Sequence, residues 1–219
     1  AGLITLNASS ITFQPGASLT LGGTGNGALN GAINAAGGSA AIVKDGAGTW
    51  SLNGDSNYAG PTTINGGTLA IVSAGRLGGG TSGTGTYAWP INVNAGVFHY
   101  LTIAAATTFT GTTRVAGGRL TLAHGDALAG CTLDLLTGDS GTVTFGLPGS
   151  QTYSIGALQG SRNLANAGNL LSVGGNGRST TYSGSLTGTG GFAKVGAGTL
   201  TLTGSSGYSG STSVSAGRL

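Results

Sequence analysis

Residues 44–69 read KDGAGTWSLNGDSNYAGPTTINGGTL, and residues 194–219 read KVGAGTLTLTGSSGYSGSTSVSAGRL. The two stretches align without a gap at an offset of 194 − 44 = 150. They keep Lys44/Lys194, Gly46/Gly196, Gly48/Gly198, Thr49/Thr199, Leu52/Leu202, Gly54/Gly204, Tyr58/Tyr208, Gly60/Gly210, Thr62/Thr212, Gly67/Gly217 and Leu69/Leu219. Apart from the lysine, what recurs is glycine, aliphatic residues, threonine and an aromatic ring, with no acid and no histidine. Such a pattern records folding geometry rather than chemistry.

Within one unit the alternation of Thr or Ser with aliphatic residues predicts three short strands, at 49–52, 62–64 and 68–71. Turns at Asn53-Gly54 and Asn65-Gly66-Gly67 separate them, where corners need positive φ or close backbone approach. Three strands in about two dozen residues suit one rung of a coil, each pairing in parallel with the rungs above and below. A weaker copy aligns at an offset of 109 − 58 = 51, with Phe109, Gly111, Gly118 and Leu120 standing for Tyr58, Gly60, Gly67 and Leu69. The same offset takes Trp50 to Leu101 and Leu52 to Ile103. The copies therefore lie at 44–71, 95–122 and 194–219. The chain reads as all-β, a single parallel β-helix (β-solenoid) over residues 1–219, with about nine or ten rungs spaced by about 4.8 Å. An antiparallel sandwich and a propeller share this composition. The coil predicts that Trp50, Leu52, Ile64, Leu69, Ile71, Leu120, Leu122, Leu133, Leu135, Leu200 and Leu202 point inward.

Composition narrows the classes. Of 219 residues, 47 are glycine and 6% are charged, with five aspartates and no glutamate, so exposed helix formers are scarce. The sequence pI is about 9.3. Its basic residues, Arg76, Arg114, Arg119, Arg162, Arg178, Arg218, Lys44 and Lys194, are scattered singly without interleaved aromatics, which argues against nucleic acid as a partner. There is no apolar run of the ~18 residues that a membrane helix needs. Leu219 stops where the first copy continues as Ala70-Ile71, so the sequence is expected to be a segment of a longer array.

Residues 155–219 contain Ile155-Gly-Ala-Leu158, Thr181-Tyr182-Ser-Gly184, Gly188-Thr-Gly190, Phe192-Ala-Lys194-Val-Gly196-Ala-Gly198-Thr-Leu200-Thr-Leu202, Gly204, Tyr208-Ser-Gly210 and Gly217-Arg-Leu219. This resembles the autotransporter-associated β-strand repeat, also called the passenger-associated transport repeat, of secreted and surface proteins of Gram-negative bacteria. The copy at 44–69 shares the pattern, with Trp50 in place of the usual leucine. The resemblance implies a right-handed parallel β-helix at the cell exterior, in a stalk or fibre exported through an outer-membrane translocator. It implies no particular activity, since such passengers carry adhesins, proteases and inert spacers alike. Partners expected on this basis are the translocator, further repeats or another copy of the chain (end-to-end or lateral), and a host surface or glycan.

The remaining candidates for chemistry read mostly as structure. Cys131 ends Leu128-Ala129-Gly130-Cys131, the letters of a lipidation box, but in mid-chain without the apolar run that such processing needs. Alternation with Leu133 and Leu135 predicts a buried, inert thiol. His124 and Asp126 share a turn composition, and His99 alternates with Phe98 and Tyr100. Neither histidine has an acid and a nucleophile at useful spacing. A polysaccharide-binding or polysaccharide-degrading β-helix enzyme, the alternative function, needs convergent carboxylates. Asp45 and Asp55 are replaced by Val195 and Ser205 in the other copy, which leaves Asp134 and Asp139 as the nearest pair. Gly188-Thr-Gly190-Gly approximates a dinucleotide fingerprint but leads into a strand. Outward threonines could order water, yet Thr63 is matched by Ser213 and the rungs drift in length. Trp89-Pro90, beside the glycine-rich 78–85, is the best candidate for a partner contact. No catalytic, cofactor or metal residue is assigned, and the functional expectation is a non-catalytic extracellular structural segment.

Overall fold

The computed structural model describes residues 4–35, 40–71, 77, 86–87, 90–100 and 108–219. Trp89 and residues 78–85, Leu101, Ile103 and Arg76 lie outside the described residues, as do the side chains of Phe98, His99, Tyr100 and Phe109. Every strand pairing is parallel. No helix occurs among the described residues, and none is long and apolar enough to cross a membrane.

The strands of the first repeat fall at Thr49–Leu52, Thr62–Ile64 and Thr68–Ile71, as their alternation predicts. In the first of these Thr49 and Ser51 face out while Trp50 and Leu52 are buried. Leu52 stacks between Leu29 below and Ile71 above, and Trp50 between Gly27 and Leu69. Gly27 makes the large ring possible, because a Cβ there would stand 2.6 Å from it. The indole Nε1 donates to the Gly22 carbonyl at 3.3 Å. Each such aliphatic, once covered, contributes roughly 1.5 to 3 kcal/mol, so the core is a continuous column of ladders along the axis. All the predicted inward residues are buried except Leu202, which is half-buried. Of the exposed large apolars, Ile4, Leu6, Val214 and Leu219 sit in the first and last described turns and Leu136 lies between them.

Three faces surround the core, and the chain visits them in a fixed order. Parallel strands joined by such crossovers coil right-handed, giving a right-handed parallel β-solenoid. One face starts with Ile4–Leu6, Gly27–Leu29, Thr49–Leu52 and Thr68–Ile71 and runs to Thr142–Phe145. The next carries Ser18–Leu21, Ala41–Lys44, Thr62–Ile64, Ile91–Val93 and Thr112–Val115, then 132–135, 157–160, Thr180–Tyr182 and Leu200–Leu202. These nine stacked strands are separated by eight turns, which roughly matches the nine or ten rungs expected. The third begins with Ser10–Phe13 and Ala32–Ala35. Successive turns differ in length: 23 residues separate Asn7 from Asn30, 29 separate Asn65 from Asn94, and 18 separate Gln151 from Asn169.

Unequal turns have a consequence for the repeat. The Ile64 ladder passes through Val93, Val115 and Leu135 to Gly160, Tyr182 and Leu202. Yet Leu202 is the counterpart of Leu52, which lies on the neighbouring face. Val214, the counterpart of Ile64, stacks instead on Lys194, Val173 and Ile155. The two best copies are thus six turns and two faces apart, so equivalent positions do not stack on one another. Leu128–Leu135 and Thr152–Gly160 are long strands that bend through a corner, with a register shift between Leu128 and Thr132.

Candidate functional site

The lysine that recurs is not a surface charge. Lys44 and Lys194 are each fully buried. The Lys44 ammonium donates to the carbonyls of Asp45 (2.8 Å), Gly46 (2.9 Å) and, one turn on, Gly66 (3.1 Å). Lys194 repeats this with Val195 (2.5 Å), Gly196 (2.8 Å) and Ala216 (3.3 Å). All three N–H donors of each ammonium are therefore used, and each lysine ties its own corner to the corner above. Glycine crowds the charge: a Cβ at Gly174 or Gly217 would stand 2.9 Å from Lys194 Nζ. Removal from water lowers both ammonium groups from the ordinary lysine value, Asp45 partly opposing this at Lys44. In the weak copy Ala95 takes the lysine position by the 51-residue offset and is exposed.

A second recurring contact joins Tyr58 to Thr62 (2.6 Å between hydroxyls) and Tyr208 to Thr212 (2.5 Å). Among the other repeat positions, Gly48, Gly54, Gly60, Gly67 and Gly118 each lie where a Cβ would meet backbone of the turn below at 2.4 Å or less. The same holds for Gly198, Gly204, Gly210 and Gly217. The retained residues are therefore those that let one turn lie against the next.

The candidate acids are separately engaged. Asp139 forms a two-pronged ion pair with Arg114, Nη2 to Oδ1 at 2.7 Å and Nε to Oδ2 at 3.0 Å. That pairing, with the guanidinium charge, holds the Asp139 carboxyl below the usual range. A depressed carboxyl contributes stability that is fully present above its unfolded value, about 4, and is lost as pH falls through the folded value. The melting difference between the wild type and Arg114→Gln should accordingly be constant above about pH 5 and shrink as pH falls through the folded value of Asp139, a pH series of melting curves providing the check. Asp134 stacks above Arg114 in the outward row and accepts from Gln159 Nε2 at Oδ2 (2.9 Å). Its Oδ1 is enclosed with no hydrogen-bond partner. Asp45 Oδ1 accepts from the Gly46 amide.

Cys131 is buried with Leu133 and Leu135. Its thiol donates to the Gly111 carbonyl at 3.0 Å and lies 3.0 Å from the Thr113 hydroxyl, and burial pushes its pKa up to about 11. Such a thiol is a packing group, not a nucleophile. His124 Nδ1 accepts from the Asp126 amide at 3.1 Å inside a turn. Among the described residues no three His, Cys or Asp side chains converge as metal ligands.

The feature that sequence reasoning missed is a groove of roughly 610 Å³ on the face bearing Asp134. Asp134, Gln159, Thr181 and Thr201 form one outward row along the axis, with Leu136, Gly160, Ser179, Thr180 and Thr199 beside it. It opens where Thr152–Gly160 meets Thr180–Tyr182 through the single pair Gly160–Tyr182. Only the register brings these residues together, since Gln159 lies 25 positions from Asp134.

Comparison with known families agrees with this architecture. The passenger-associated-transport-repeat family model matches residues 42–71, 100–122 and 192–219, and the lysine and tyrosine contacts mark the first and last of these. No curated protein and no solved structure matches the chain. The chain carries three copies of the passenger-associated transport repeat.

Proposed function

We propose that this chain is a non-catalytic stalk segment of an autotransporter-type passenger, exported through an outer-membrane translocator and held at the cell exterior, where it spaces or presents adhesive elements. The observation that supports it most is that the repeated lysines and glycines, from Lys44 and Gly48 to Lys194 and Gly198, make contacts between turns. A selected pattern spent on stacking is what a rigid spacer requires.

Location is the first test. Antibody raised against the chain should label intact cells of the source bacterium as strongly as permeabilised ones. Labelling only after permeabilisation would overturn the reading. The full-length gene should likewise encode a translocator barrel or another outer-membrane anchor.

A further inference from the structure

We propose that the groove over Asp134, Gln159, Thr181 and Thr201 is a binding site for an uncharged, hydroxyl-rich polymer, a neutral oligosaccharide laid along the solenoid axis. This goes beyond the stalk reading and is independent of it.

The row spans four turns at about 4.8 Å each, so it offers polar groups at a regular step over roughly 14 Å. Gly160 sets the floor. Its φ of +104° and the 2.1 Å that a Cβ would leave to the Leu135 carbonyl exclude any side chain there. Gln159 is fixed by its bond to Asp134, which leaves its carbonyl oxygen and second N–H for a ligand. Ser179 Oγ accepts from the Thr199 amide at 3.0 Å, so its hydroxyl proton is available to donate. Thr181 and Thr201 are exposed.

These groups both donate and accept, and no lysine, arginine or aromatic ring lines the groove. A phosphate or polyanion would meet the Asp134 charge, while the adjoining guanidinium, Arg114 one turn below, is already paired with Asp139. An added peptide strand would pair along a sheet edge, and on this face that edge lies beyond Leu200–Leu202, which is paired only with Thr180–Tyr182, across the row rather than along it. A chain of neutral sugar hydroxyls fits what remains. Without ring stacking the affinity should be weak, with a Kd of about 1 mM.

The test is an NMR titration of the 219-residue chain with maltohexaose, cellohexaose and chitohexaose, and with hexagalacturonate as the anionic comparator. At least one neutral hexasaccharide should saturate, shifting the Gln159, Thr181 and Thr201 amides. Gln159→Ala, and separately Thr181→Val with Thr201→Val, should weaken it about tenfold or more. Thr121→Val with Thr144→Val, an outward pair on another face, should leave it unchanged. Far-UV spectra and melting curves establish that each variant is folded. The proposal fails if no neutral hexasaccharide saturates by about 10 mM. It also fails if the groove variants bind like the wild type, or if hexagalacturonate binds more tightly than every neutral sugar.

Discussion

Gly67→Ala is expected to lower the melting temperature by roughly 10 °C, while Gly207→Ala leaves it nearly unchanged. Gly67 stands in a column in which consecutive turns touch backbone to backbone. A Cβ on Gly48 would lie 1.9 Å from the Gly25 carbonyl oxygen, one on Gly67 2.3 Å from that of Gly48, one on Gly96 2.4 Å from that of Gly67, and one on Gly118 2.1 Å from that of Gly96. The φ of +60° at Gly67 adds about 1 to 2 kcal/mol for any L side chain. Forcing the turns apart adds about 1 to 3 kcal/mol more. A total of about 2 to 5 kcal/mol, centred on about 3.5, corresponds to roughly 10 °C in a domain of this size. At Gly207, by contrast, φ is ordinary and nothing lies within 4 Å of a Cβ, so alanine costs no contact and reduces the freedom of the unfolded chain. Equal melting temperatures for the two variants would show that the close approach at the corner is not required.

The contrast separates what a sequence displays from what it conceals. Alternation in TWSL, TTI and TLAI placed three strands to the residue, because a strand facing a dry core must repeat with period two. Gly54 and Gly67 were legible as corners for a similarly local reason. The rotation of the second copy by two faces was not, since it depends on the sum of turn lengths and on the register shift between Leu128 and Thr132. Neither leaves a local signature. The groove was hidden for the same reason, its members coming from four turns of different length. Asp134 and Asp139 looked like a pair because they are five residues apart, yet one is held by Gln159 and the other by Arg114. Lys44 and Lys194 occupy a middle case. Their retention in a chain with so few charges was visible, but charge alone reads as surface, and only the surrounding carbonyls show why an ammonium is buried.

Those lysines give the second large effect: Lys44→Met should destabilise the fold by about 3 kcal/mol, and Lys194→Met should loosen the last turn. Methionine has a similar volume and fills the same channel, so packing is preserved while three carbonyl oxygens lose their donor. Each acceptor left enclosed costs about 1 to 3 kcal/mol, and relief of the desolvated charge offsets part of the sum. Arginine should not rescue, because its planar fork cannot aim three donors at carbonyls gathered around one point, and the backbone around Lys194 leaves no room for a larger head group. The two variants should differ in reach. Lys44 sits between turns covered on both sides, so its loss should lower the main melting transition. Lys194 ties its turn to Ala216 in the final turn described, so its loss should appear as faster hydrogen exchange at Ser215 and Arg218, whose amides bond to Lys194 and Gly198, with the main transition little moved. If Lys44→Met melts within 1 °C of the wild type, the ammonium is a tolerated passenger in the core. If it falls as expected and the arginine variant falls with it, the repeat keeps its lysine as the clasp that closes one turn onto the next.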